Sequence, residues 1–291
     1  MQLATKDKSV WSSLILIGVL TLSPTAIADD SRFKIAAGVF YSNSDTGMDV
    51  TNPLTGKTFE LDFETDLELV ESEFLPFFEI SYWFNTQHGI YFDWQRLHRD
   101  ATNTNITVPY EFDHPDPDID ETYSIQLGAE IITTFNVDIA RIGYGYDFYK
   151  DDTWDLIFTA GLHVMWLELG FEGEIGACVD DNCGIIDIAP NTVVFTDVTA
   201  PLPDLGLLAH YQFADSWSIT GHAQYFYIKI DNIRGELIDL SGGIEYNFEG
   251  KFAADLSYKY YKVTVDIEGD HTTTSIHYGF HGPMLTLSYE F

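Results

Sequence analysis

The sequence predicts an all-β fold, a transmembrane antiparallel up-and-down β-barrel of ten strands, with eight or twelve strands also compatible with the pattern. Three observations lead there. Segment after segment alternates apolar and polar residues, which gives a strand two chemically different faces. Short polar turns alternate strictly with long connections. The chain closes on such a strand: Leu285, Leu287, Tyr289 and Phe291 share one face, and Thr286, Ser288 and Glu290 share the other.

The strands follow in order, each read from its alternation. Strand 32–41 sets Phe33, Ile35 and Val39 against Lys34, and strand 74–84 sets Phe78, Ile80, Tyr82 and Phe84 against Glu79 and Ser81. In 89–100, Ile90, Phe92 and Trp94 oppose Asp93 and Gln95; in 135–149, Ile142, Tyr144, Tyr146 and Phe148 oppose Arg141 and Asp147. Strand 154–168 places Leu156, Phe158, Leu162, Val164 and Trp166 opposite Asp155 and His163, and 204–214 places Leu205, Leu207, Tyr211 and Phe213 opposite His210. Strands 217–230, 237–248 and 252–265 continue the pattern. Their apolar faces carry Ile219, Tyr225, Ile244, Tyr246, Leu256 and Tyr258. Their polar faces carry His222, Gln224, Glu245, Asn247, Asp255 and Lys259. The last strand is 275–291. The short connections, 85–88, 150–153, 214–216 and 249–250, are polar and turn-forming. The long ones, 42–73, 101–134, 169–203, 231–236 and 266–274, carry the prolines, the cysteines and most acidic clusters. Residues 122–133 also alternate, and either extend a strand or form an extra hairpin arm.

Periodicity alone does not separate a lipid-facing barrel from a soluble sandwich with its apolar faces turned inward. The two ends of the chain do. The final strand resembles the C-terminal signal of Gram-negative outer-membrane β-barrels, whose last residue is typically Phe and whose third-from-last is often Tyr. That resemblance implies that Leu285, Leu287, Tyr289 and Phe291 are read by the barrel-assembly machinery after delivery by periplasmic chaperones. It also implies outer-membrane lipid and lipopolysaccharide as surroundings. At the other end, Lys6 and Lys8 precede a mostly apolar run over 11–22, and Ala26-Ile27-Ala28 forms an A-x-A site. This is the layout of a cleaved secretory signal peptide over 1–28, leaving a single barrel domain over 29–291 in the cell outer membrane. The apolar run is short for a spanning helix.

Aromatic residues make up 15% of the chain, with 17 Tyr and 21 Phe, enough to supply girdles at two membrane interfaces. The net charge of −32 excludes nucleic acid as a partner. Acids cluster at 62–66 and 113–121; solvated extracellular loops are the favoured reading, ahead of divalent-cation binding beside lipopolysaccharide. Cys178 and Cys183 are expected to form a disulfide closing a small loop, with modest stabilisation. The pair lacks the further ligands of a zinc site and the C-x-x-C spacing of a redox motif.

The polar faces predict a lumen network of Lys34, Glu79, Asp93, Arg141, Asp147, Asp155, His163, His210, His222, Glu245, Asp255 and Lys259. A ten-stranded barrel is narrow, so these charges are expected to pair and fill it. The competing reading is a narrow, cation-preferring passage. Enzyme motifs are weak. Surface proteases of the omptin family use acid pairs and an Asp–His pair; Asp116 and Asp118 form a D-x-D, but only Asp270-His271 follows. Outer-membrane lipid A deacylases use a Ser–His arrangement facing lipid, to which Ser275, His277 and His281 correspond loosely. No catalytic residue and no metal site is assigned, and no cofactor is expected beyond a loose Ca²⁺ site at Asp116, Asp118 and Asp120, which lacks the glycine and spaced glutamate of an EF-hand. The expected function is therefore a structural or surface-interaction barrel with acidic extracellular loops. The alternatives are a cation channel or a lipid A- or peptide-modifying enzyme.

Overall fold

A computed structural model describes residues 31–52, 57–103, 110–113, 121–125, 131–179, 182–188, 195–248, 251–269 and 273–291. Every regular element among them is a strand: β1 (Arg32–Asn52), β2 (Lys57–Asp62), β3 (Ser72–Trp83), β4 (His88–Asn103), β5 (Tyr110–Asp113), β6 (Glu121–Ile125), β7 (Ile131–Lys150), β8 (Trp154–Val179), β9 (Asn182–Ile188), β10 (Phe195–Ala214), β11 (Trp217–Ile230), β12 (Ile233–Asn247), β13 (Phe252–Glu268) and β14 (Thr273–Glu290). Ten of these, β1, β3, β4, β7, β8 and β10–β14, form a closed antiparallel barrel. Closure comes from β1 on β14, with Lys34 opposite Glu290, and from β8 on β10, with Asp155 opposite His210. The others are additions at the end away from the termini: β2 pairs β1, β9 pairs β8, and β6 pairs both β5 and β8. The alternating segment 122–133 divides, its first residues entering β6 and its last entering β7. The signal-peptide region lies outside the described residues.

The turns at the lower end, beside the termini, are short because side chains satisfy their backbone. Asn85 Oδ1 accepts from the N–H groups of Gln87 and His88 at 2.8 and 2.9 Å. Asp151 Oδ1 accepts from those of Thr153 and Trp154, both at 2.8 Å. The Trp154 N–H, the Tyr149 hydroxyl and the Thr153 N–H hold the Asp151 carboxyl below its ordinary range. A carboxylate depressed in this way stabilises the fold above its unfolded pKa of about 3.9, and that contribution is lost as pH falls through the folded value. Asp151→Asn is therefore expected to flatten the acid limb of stability against pH by a small loss at neutral pH, with stability in acid nearly unchanged, as followed by unfolding of detergent-held protein.

The upper connection expected at 231–236 is instead a two-residue turn, with Ile230 opposite Ile233. Asp231 takes a left-handed φ of 49°, which Asp tolerates, so two residues suffice. Gly235 is no turn signal; it lies buried inside β12, against Ile228.

The barrel strands run further upward than the alternation predicts, and the reason is an inversion of their pattern. Low in β7, Ile142, Tyr144 and Phe148 point outward and are exposed, while Arg141 and Asp147 are buried inside. High in β7 the apolar residues Phe135, Val137 and Ile139 are the buried ones, and Asn136 and Asp138 alternate with them. The same switch occurs in β4, from outward Ile90 and Phe92 to inward Leu97, with Arg96 and His98 outside. It recurs in β13, from outward Leu256 and Tyr258 to inward Tyr261 and Val263. Below the switch the apolar face suits lipid, with Leu256 61% and Leu287 59% exposed. Above it the strands pack like those of a soluble protein.

The wall also changes at this level. β3 and β4 pair only between residues 77–83 and 89–95, and β10 and β11 only between 205–214 and 217–225. The β1–β14 ladder skips Tyr41 and Ser42, opposite Pro283, which has no N–H, and Gly282, whose φ of 154° leaves no room for a Cβ beside the Tyr41 carbonyl. Above these breaks stand two blades. One contains β4, β7, β8 and β10; the other contains β11–β14 and β1.

Candidate functional site

The interior has three tiers. At mid-height, Arg141 on β7 is the hub. Its Nε donates to both Asp93 oxygens at 2.9 Å, and its Nη1 donates to Gln224 Oε1 at 2.5 Å and to Asp239 Oδ2 at 3.1 Å. Lys259 Nζ lies 3.2 Å from the same Asp239 oxygen, and His222 Nδ1 lies 3.9 Å from the other. Gln224 passes the chain on, its Nε2 donating to Asp204 Oδ1 at 2.7 Å. These groups are almost wholly removed from water, so they stand only as a set: each charge offsets the desolvation of the others.

Below the hub a cavity of about 540 Å³ opens among the lower ends of the strands. Lys34, Glu79, Asp155, His210, Glu245 and Asp255 line it. Glu245 lies 3.4 Å from His210 and 3.9 Å from Lys34, and Thr220 donates to Asp255 at 2.8 Å. Asp147 sits buried at the lower rim, 3.6 Å from Lys150, which also binds Asp155 at 2.5 Å.

Above the hub the lumen is filled. Phe40, Phe63, Leu67, Leu97, Phe135, Tyr278 and Phe280 are at most 2% exposed. Phe63 meets Phe135, and Phe135 meets Tyr278, at ring-centroid distances of 5.7 and 5.6 Å, so the two blades close on each other. The His163–Tyr261 hydrogen bond of 2.7 Å joins them further. Segment 63–71, between β2 and β3, enters this mouth as a strap. The buried Arg99 latches it, binding Glu64, the Val70 carbonyl at 3.2 Å and Thr46 Oγ1 at 2.7 Å. Thr46 N–H in turn donates to Glu64 at 2.9 Å.

The predicted lumen residues thus fall into separate tiers. Asp93, Arg141, His222 and Lys259 meet at the hub. His163 stands just above, and the remainder line the cavity or its rim. The sequence reading passed over Asp204 and Asp239, although strand parity puts both on the polar faces of their strands, with His210 and Glu245. It also passed over the Arg99–Glu64 pair, whose acid lies in a connection that no periodicity describes.

His277 and His281 face outward as parity requires, above or at the pattern switch. His281 Nδ1 lies 2.8 Å from the Tyr258 hydroxyl, and His277 Nε2 lies 3.8 Å from Asp45. Ser275 gives its hydrogen bond to Asp266 at 2.6 Å, so its hydroxyl is committed to an acid rather than aimed at His277. Asp116, Asp118, Asp120, Asp270 and His271 lie outside the described residues. Among the described residues no group of three or more His, Cys, Asp or Glu is arranged to hold a metal ion.

At the seam that closes the barrel, Phe291 N–H donates to the Phe33 carbonyl at 2.8 Å, and its ring meets that of Phe33 at 5.3 Å. Tyr289 packs on Phe252 at 4.6 Å. Among solved structures, the chain is similar to the outer-membrane protease OmpT of Escherichia coli, with a TM-score of 0.53 and 8% identity over 92% of this chain and 99% of that one. The fold is that of an outer-membrane β-barrel. Weaker similarity extends to the Ail protein of Yersinia pestis, with a TM-score of 0.29 and 11% identity over 90% of this chain and 99% of that one. The toluene transporter TodX of Pseudomonas putida gives a TM-score of 0.34 and 10% identity over 91% of each chain. No protein-family model and no curated protein matches the sequence.

Proposed function

We propose that this protein is an integral outer-membrane barrel with a stoppered lumen, whose role is structural or surface-interacting rather than transport. One observation carries the reading: the apolar packing of the two blades above the Arg141 hub. A solute would have to displace Phe135, Tyr278 and the strap, and then a buried ion-pair set. The outward apolar belt supports residence in a bilayer, and the signal-peptide layout with the final aromatic strand supports the outer membrane. In that orientation the blades and their acidic connections face outside. Cys178 and Cys183 stand directly opposite each other in the β8–β9 ladder, which supports a disulfide at a blade tip.

The test is planar-bilayer recording of refolded protein whose folding is verified by heat-modifiable migration on a gel. The expected result is a folded species with no single-channel events across a range of salts and voltages. Steady, resolvable openings would overturn the stoppered reading in favour of a cation-preferring channel.

A further inference from the structure

The cavity below the hub has walls whose charges do not balance. Six carboxylates line it, those of Glu79, Asp93, Asp155, Glu245, Asp255 and Glu290, against four fixed cations, Arg32, Lys34, Arg141 and Lys259. Two of the cations are shared with a seventh acid: Arg141 and Lys259 both bind Asp239, which is buried outside the cavity lining. Arg32 lies over the Trp83 ring at 5.7 Å.

Strand register makes the imbalance sharper. Glu79 stands directly opposite Asp93 across the β3–β4 ladder, and Glu245 directly opposite Asp255 across β12–β13. Directly opposed like charges destabilise a sheet. One member of each pair faces a fixed cation, Asp93 facing Arg141 and Glu245 facing Lys34. Among the described residues, Asp255 receives only the Thr220 hydroxyl. Asp155 adds a third acid on β8, one that Lys150 already binds at 2.5 Å. In the order of strands around the barrel, β8 is separated by at least one strand from either acid pair.

This spacing selects the ligand class. A divalent metal ion needs its carboxylates gathered at one point, and no such gathering occurs among the described residues. Acids spaced around a cavity of this volume instead suit an extended molecule carrying several separated positive charges. We propose that the lower cavity binds a linear organic polycation, a di- or triamine, entering from the end that bears the chain termini. Its ammonium groups answer Glu79 and Asp255, since Lys150 already holds Asp155. The stopper above keeps the site a dead end, so occupancy is binding and not passage.

The experiment is titration calorimetry of the refolded full-length barrel in detergent with spermidine as probe. Saturable binding is expected, weakened roughly tenfold or more by Glu79→Gln with Asp255→Asn, and weakened similarly when butylamine, with one charge, replaces spermidine. Ser257→Phe narrows the cavity without altering charge and is expected to weaken binding as well, so the outcome does not depend on the acid variants folding. Absence of saturable heat with spermidine overturns the proposal. So does an affinity unchanged in the double variant and in Ser257→Phe, which would place the amine on the acidic connections. Neither result bears on the stoppered reading, which the conductance recording decides.

Discussion

Arg141→Met is expected to lower folding stability by about 3–5 kcal/mol, the cost of breaking a buried ion pair from one side. The guanidinium alone links Asp93, Gln224 and Asp239. With it gone, the Asp93 and Asp239 carboxylates remain buried, their side chains 4% and 1% exposed, and Lys259 and His222 are left beside Asp239 alone. Removing Asp93 as well, in Arg141→Met with Asp93→Leu, should recover a large part of the loss, because an apolar pair of similar volume carries no desolvation cost. Arg141→Lys should fall between, since one ammonium cannot reproduce the fork that serves three partners. Urea unfolding of the protein in lipid vesicles, read by gel mobility, measures all three. A single-variant loss below about 1 kcal/mol, the size of a surface pair, would mean that water reaches the hub.

Arg99→Ala is expected to free the strap while leaving the wall closed. The Arg99 side chain is fully buried and holds segment 63–71 through Glu64 and Val70 and β1 through Thr46; it also lies 5.3 Å over the Phe135 ring. Its loss strands Glu64, which among the described residues keeps only the Thr46 N–H, at a cost again of about 3–5 kcal/mol. The wall pairing around the Arg141 hub touches none of these groups, so heat-modifiable migration should persist. Limited proteolysis of protein in vesicles, with fragments identified by mass, should then show new cleavage within 63–71. Arg99→Lys should restore partial protection through Glu64 alone. A digestion pattern identical to that of the unsubstituted protein would show that Phe63, Leu67 and Leu69 hold the strap by packing alone.

The two predictions mark the boundary of what alternation could reveal. Wherever lipid lies outside, the residues spell out their orientation: Ile142, Tyr144 and Phe148 against Arg141 and Asp147 could be assigned by counting. The short turns were equally plain, because Asn85 and Asp151 are residues that cap their own backbone. The blades were not legible in the same way. Past the switch, water lies outside and an apolar core inside, so Phe135 and Val137 carry the opposite orientation at the same parity of burial. A reading that expects apolar residues outward sees the pattern stop, and it ends the strand at 168 where β8 continues to Val179. Arg99 shared the parity of Asp93 and so was accessible in principle. Its partner Glu64 was not, because a connection that folds back into the mouth leaves no periodic trace. The hub itself was half visible: the charges could be named, but which of them meet depends on the stagger between strands.

That stagger joins β1 to β14, Lys34 to Glu290 and Phe33 to Phe291. Every other neighbouring pair of wall strands could form while the chain is still emerging. This one must wait for β14, which neighbours β1 in the wall although far from it along the chain. Until then β1 presents an unsatisfied edge, and the belt meant for hydrocarbon is exposed to water, both of which invite aggregation. The wall is therefore either a closed ring or a ribbon with two open edges, with no smaller ring between.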